Sequence, residues 1–177
     1  MNNNNENKLV PKLRFPEFKN IDSWKLKTLQ EVSEVYQPKT ISQSELKVQG
    51  YLVYGANGII GFYDQYNHET SQIAIACRGS SCGTVNFTEP KSWITGNSMV
   101  VNVDGYKDID KKFMFYQLFA ANFNYLITGS GQPQITGNIK NHKIFITDSK
   151  EQQKIAACLS SLDEVITAES QKLELLK

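Results

Sequence analysis

Two cysteines and two histidines, Cys77, Cys82, His68 and His142, carry the side chains that hold zinc in tetrahedral sites. Their spacing argues against it. Cys77 ends an apolar strand-like run, and His142 lies far along the chain. Glu45-Leu46-Lys47 has the form of half a Mg²⁺-dependent nuclease site, in which carboxylates hold the ion beside a lysine. Such a site needs an upstream Asp on a neighbouring strand. Asp22 is the only nearby one, and residues 42–50 read as a polar loop with a solvated charge pair. There is no G-x-x-x-x-G-K-[ST] loop to cradle a phosphate. Gly129 and Gly131 begin a G-x-G, but no third glycine falls in place for a dinucleotide. No nucleophile-elbow pattern is present. These residue types at these spacings offer no catalytic centre.

Groups suited to nucleic-acid edges are plentiful. Asn and Gln pair bidentately with adenine, and Arg with guanine. Arg78 is one of two arginines, with Arg14, and it sits between a strand-like run and Gly79-Ser80-Ser81. That loop lets a guanidinium project while glycine permits close approach. Lys39, in QPKT, has a similar setting. The net charge of +1 demands no polyanionic partner. Residues 1–150 hold 16 Lys and Arg against 13 Asp and Glu, and residues 151–177 hold 3 against 5. A basic body with an acidic tail is compatible with nucleic acid on the body.

The elements that must position these groups follow from periodicity. YLVY (51–54), IIGFY (59–63), IAIAC (73–77), TVNF (84–87) and MVVNV (99–103) are β-branched and aromatic, separated by turn residues. Asn57-Gly58 between two such runs marks a hairpin. Leu26, Leu29, Val32 and Tyr36 predict a short helix over residues 28–36. Phe113, Tyr116, Phe119 or Ala120, and Phe123 predict a second over residues 109–122, and KIFIT (143–147) a last strand. The Asn-rich residues 1–10 have nothing to bury and predict a disordered tail. No run is apolar enough for a membrane span, and no secretory signal is present. Three cysteines are then expected as reduced thiols in a cytoplasm.

The final segment is the clearest. Asp148 and Glu151 have the spacing of a capping box. Ile155, Leu159, Leu162, Ile166, Glu169, Leu173 and Leu176 then step alternately by four and three. This is a heptad seam with one polar break, of the coiled-coil type. A lone helix cannot bury it, so a helical partner is expected.

Five segments remain: PKLRFPEF followed by Trp24 and KLKTLQEV; YGANGIIGFY; GSSCGTV; GSGQPQIT; and EQQKIAACLSSLDEVI. Taken in order, from Pro11 to the end, they resemble the specificity (S) subunit of bacterial type I restriction-modification systems. The resemblance implies a non-catalytic subunit that recognises double-stranded DNA. It implies target recognition domains of about 150 residues, joined by helices that dock methyltransferase (modification) subunits. S-adenosylmethionine, ATP and Mg²⁺ would belong to partner subunits, including a restriction motor subunit, and none to this chain. The chain looks like half such a subunit, with one recognition domain and one seam. A homodimer through the helix would give a palindromic, bipartite target.

The expected fold is α+β: a twisted mixed β-sheet recognition domain with short helices (residues 11–148), followed by a long C-terminal coiled-coil-type helix (residues 149–177). Lys39, Lys91, Lys107, Lys111 and Lys140 are the expected phosphate contacts. Asn57, Arg78, Ser80, Ser81 and Asn97 are expected near base edges. The seam residues Ile155, Leu159, Leu162, Ile166, Leu173 and Leu176 are the expected subunit interface. GSGQPQIT is expected to be scaffold, with sequence-independent phosphate contact through its amides, Thr136 or Lys140 as the alternative. Rival functions are a stand-alone Mg²⁺-dependent nuclease and an interaction decoy that caps methyltransferase subunits.

Overall fold

The computed structural model describes residues 10–129 and 131–176. Of the expected tail, all but Val10 lies outside the described residues. The elements run β1 (Lys25–Thr28), α1 (Leu29–Val32), β2 (Glu34–Tyr36), β3 (Tyr51–Gly55), β4 (Gly58–Tyr63), β5 (Ile73–Ala76), β6 (Val85–Phe87), β7 (Trp93–Ile94), β8 (Ser98–Asn102), α2 (Lys111–Phe119), β9 (Lys143–Ile146) and α3 (Ser149–Leu175).

The α+β class holds, and the strands divide into three sheets. An antiparallel sheet has the order β2-β8-β5-β6, a mixed one has β4-β3-β7, and β1 pairs with β9. The mixed character lies in β3, antiparallel to β4 and parallel to β7. Strand alternation explains the layers. On one face of the four-stranded sheet, Val35, Ile73, Ile75, Met99 and Val101 meet Met114 and Leu118 of α2, with Leu29, Phe123, Ile135 and Ile139 closing the core. On the other face Ala74 and Val100 meet Tyr54 and Ile94. The small Ala74 leaves room for the mixed sheet to approach. Beyond that sheet, Ile41 and Leu46 pack on Val53 and Trp93.

The helix expected over residues 28–36 is one turn followed by a strand. Its start has a capping box: Glu31 accepts from the Thr28 backbone N–H and hydroxyl, each at 2.7 Å. With Lys27 alongside, these bonds hold the Glu31 carboxyl down at about 2. Ser33 Oγ then donates to the Leu29 carbonyl at 2.7 Å, and the chain extends so that Val35 pairs with Val101. Burial of Val35 on this edge strand, paired to the inner strand β8, outweighs a short run of helical spacing. Strands β1, β2 and β7 are too short to show a period. Helix α2 starts later than expected, because Asp110 caps it by accepting from Phe113 N at 2.8 Å, and it ends earlier, at Phe119.

Helix α3 is 27 residues long. Asp148 caps it by accepting from Lys150 N at 2.9 Å. The expected capping box is not formed, because Glu151 turns inward to Arg14. Through its first half α3 packs on α2, and at mid-helix the Tyr116 hydroxyl donates to Asp163 at 2.6 Å. Further along, its side chains face solvent. Among the described residues no helix is long and apolar enough to cross a membrane.

Candidate nucleic-acid interface

Five polar residues from three separate segments meet at one end of the two larger sheets. The first segment follows β5. Cys77 is buried, and its N–H donates to the Asn97 carbonyl at 2.9 Å. Its carbonyl accepts from Ile135 N at 3.1 Å. A tight turn then exposes Arg78 and Ser80 and half-exposes Ser81. It is closed by Cys82 N donating to Gly79 O at 3.1 Å and Gly83 N to Ala76 O at 2.8 Å. Gly79 (φ +76°) and Gly83 (φ +94°) take the left-handed backbone that this turn requires. The second segment joins β7 to β8 and exposes Asn97. The third is the β3–β4 hairpin, with Asn57 exposed at its tip. Ser98 Oγ donates to the Gly55 carbonyl at 3.2 Å and ties that hairpin to Asn97. Ile60, 45% exposed, lines a cleft with Asn97, Ile41 and Leu46.

The expected lysines divide. Lys39 lies beside this end: its carbonyl accepts from Trp93 Nε1 at 3.2 Å and its side chain is exposed. Lys107 and Lys111 follow the far end of β8. The Lys111 ammonium is already neutralised by Asp104 at 2.5 Å and donates to the Ser71 carbonyl at 2.6 Å. This geometry already supplies the Lys111 ammonium with partners from its own chain. Lys91 is exposed beside Glu69, at 3.8 Å, at the opposite end of β7 from Asn97. Lys140 lies in a 3-10 turn, Gly137–Asn141, packed against α1. The expected base-edge residues are thus brought together, and four of the five lysines are not with them.

The described part of GSGQPQIT, which leaves out Ser130, is closed at its two ends. Thr128 and Gln134 exchange both backbone hydrogen bonds at 2.9 Å, and the loop docks on the Arg78 turn through Gly79 N donating to Pro133 O at 3.0 Å. Backbone groups rather than the glutamine side chains close it. Gly129 has φ +90°, and a Cβ there would lie 2.6 Å from the Gln132 carbonyl. Gly129→Ala is expected to cost about 1–3 kcal/mol, read as a lowered denaturant midpoint. An unchanged midpoint would show that the loop relaxes freely.

The groups that suggested other chemistry are occupied elsewhere. Cys77 and Cys82 share a loop, but His68 bonds Tyr36 (3.0 Å) and His142 bonds Tyr125 (2.6 Å). Burial pushes the Cys77 thiol up, against the smaller opposing effect of the Gln37 amide, and pushes both imidazoles down. Among the described residues no group of three His, Cys, Asp or Glu could hold a metal. Glu45 accepts from Ser42 N (2.7 Å) and Oγ (2.8 Å), so it serves as a cap carboxylate.

Two arrangements escaped the sequence reading. One is the Arg14–Glu151 pair. The other is the grip of residues 37–40 on Gly96. Nothing in local spacing signals either. The capping boxes at Thr28 and Ser42, by contrast, follow the [ST]-x-x-E pattern and were open to detection.

Comparison with known proteins places this geometry in context. A family model described as type I restriction modification DNA specificity domain matches residues 21–177. The type I restriction enzyme EcoprrI specificity subunit of Escherichia coli is 30% identical over 145 residues, covering 78% of this chain and 36% of that protein. The type I restriction-modification S subunit from M. genitalium superposes with a TM-score of 0.78 at 22% identity, over 94% of this chain and 45% of that one. A structure solved to explain complex assembly and conformational transition of the type I R-M system gives 0.65 at 16% identity, over 95% and 44%. The two structural matches show the fold. The chain spans less than half the length of each of these relatives.

Proposed function

Because the chain belongs to the type I restriction modification DNA specificity domain family, we propose that it reads double-stranded DNA for a restriction-modification complex and does no chemistry of its own. The observation that carries this reading is the convergence of Asn57, Arg78 and Asn97, from three segments, on one exposed end of the sheets. Ser80 and Ser81 flank them, and Lys39 supplies a cation for the adjacent phosphate. Residues 11–148 form the reading head. Residues 149–177 form the docking helix, whose seam takes modification subunits or the same helix of a second copy. Two copies related by a two-fold axis read a palindromic bipartite target. The modification subunits bring S-adenosylmethionine, the motor subunit brings ATP and Mg²⁺, and the whole works on DNA in the cytoplasm.

The test is selection from a pool of randomised duplexes. Arg78→Ala is expected to relax preference at one base position, by about 1–3 kcal/mol. Lys39→Ala is expected to weaken all duplexes alike and to lower the log–log salt slope by about 0.9. An interaction decoy predicts no preference in the parent chain. A stand-alone nuclease predicts Mg²⁺-dependent cutting that Glu45→Ala abolishes. The use of Glu45 as a cap weighs against that reading.

A further inference from the structure

Residues 37–40 hold the backbone between two of the proposed reading residues from both sides. Gln37 Nε2 donates to the Gly96 carbonyl at 2.8 Å and to Cys77 Sγ at 3.1 Å. Gly96 and Cys77 immediately precede Asn97 and Arg78. The two amide protons of one side chain therefore tie the two reading segments to each other. Gly96 N donates to Thr40 Oγ1 at 3.2 Å, so both backbone groups of Gly96 are engaged by this one stretch. The approach is close: a Cβ on Gly96 would lie 2.6 Å from Thr40 Oγ1 and 2.7 Å from the Pro38 carbonyl. Pro38 restricts Gln37 to an extended backbone, which aims the side chain. Gln37 itself is exposed, so this pairing is not a by-product of core packing.

We infer that Gln37 is a positioning residue for sequence preference, fixing, together with the Cys77 N bond to the Asn97 carbonyl, how Arg78 and Asn97 are set relative to each other. The inference rests on the reading above that these two residues face DNA. A bidentate contact to a base edge tolerates little displacement, because both hydrogen bonds must keep their distance and angle. Loosening the clamp therefore affects preference before it affects folding or charge-driven binding.

The experiment uses the full chain at low ionic strength, where binding is strengthened. A pool of randomised duplex DNA is selected with the parent, Gln37→Leu, Gln37→Asn, Arg78→Ala and Asn97→Ala. Leu removes both donors at similar size. Asn keeps the amide but falls one methylene short. Both Gln37 variants are expected to lose about tenfold in preference, at the same base positions that Arg78→Ala and Asn97→Ala relax. Affinity for a scrambled duplex and the melting temperature are expected to stay at parental values. If Arg78→Ala and Asn97→Ala change preference while neither Gln37 variant does, or if the Gln37 variants weaken all sequences equally, the positioning role is wrong and the reading head stands. If Arg78→Ala and Asn97→Ala also leave preference untouched, the reading head falls with it.

Discussion

Replacing Leu162 and Ile166 together by Asp is expected to leave the domain folded and to abolish association through α3. Leu162 is 53% exposed and Ile166 63% exposed, although Asp163 between them accepts from Tyr116 of α2. Neither holds the core, so circular dichroism and the thermal transition should stay as in the parent. Leu173 and Leu176 continue the same seam, at 61% and 78% exposed. Burying one Leu or Ile contributes about 1.5–3 kcal/mol. A two-fold helix pair loses two such side chains from each copy and gains carboxylates in an apolar seam. Four such side chains come to at least about 6 kcal/mol, and about 4 kcal/mol already corresponds to a thousandfold in association constant. Mass by sedimentation, alone and with a modification subunit, reads it directly. A parent chain that stays monomeric at its highest soluble concentration and ignores modification subunits would remove the case for a helical partner. Ile155 and Leu159 make poorer test positions, since both are half-buried.

Glu151→Ala is expected to destabilise the fold by about 2 kcal/mol and to change its response to acid. Arg14 meets Glu151 bidentately, with Nε–Oε1 and Nη2–Oε2 both at 2.7 Å. The side chains are 4% and 1% exposed. Arg14 also donates to the Ile21 and Asp22 carbonyls, at 3.1 and 3.2 Å. The pair thus fastens the N-terminal segment to the start of α3. Removing one partner of a deeply buried pair costs about 3–5 kcal/mol, because a charge is left unpaired. The pair lies along a cleft lined by Leu13, Phe15, Pro16 and Ile155, within reach of solvent, so the cost is set lower. For a chain of this length it corresponds to a fall of about 4–8 °C in melting temperature. Burial alone would raise the Glu151 carboxyl, but the Arg14 bond and the Thr147 hydroxyl outweigh it and hold it below the usual range. A carboxyl lowered on folding contributes stability that is complete above the ordinary carboxylate range and is lost as pH falls through the lowered value. Melting curves taken from neutral to acid pH should therefore be steeper for the parent than for Glu151→Ala. Parallel curves would show that the pair does not contribute to acid stability.

The legible parts of this fold are those carried by one segment. Asn57-Gly58 marked its hairpin, and Gly58 takes φ +84° there. The heptad steps marked the long helix, and Arg78 with its following glycine marked an exposed turn. Lys111 shows the limit. Order alone makes it a candidate phosphate contact, yet the turn after β8 puts Asp104 against it. The one-turn helix at Leu29 shows the same limit for backbone. Helical spacing lost to a strand pairing with a partner more than sixty positions away.

The amino-acid sequence alone determined the class of the fold, the order of strands ahead of a long seam-bearing helix, and the types of polar side chain at hand. Periodicity and turn chemistry act between neighbours, so they are readable from order alone. Tertiary structure decided which polar residues share one end, which lysines stay free, and that Gln37 and Gly96, 59 positions apart, touch. Those outcomes depend on how three sheets stack, and stacking is set by the summed burial of the whole core rather than by any short stretch.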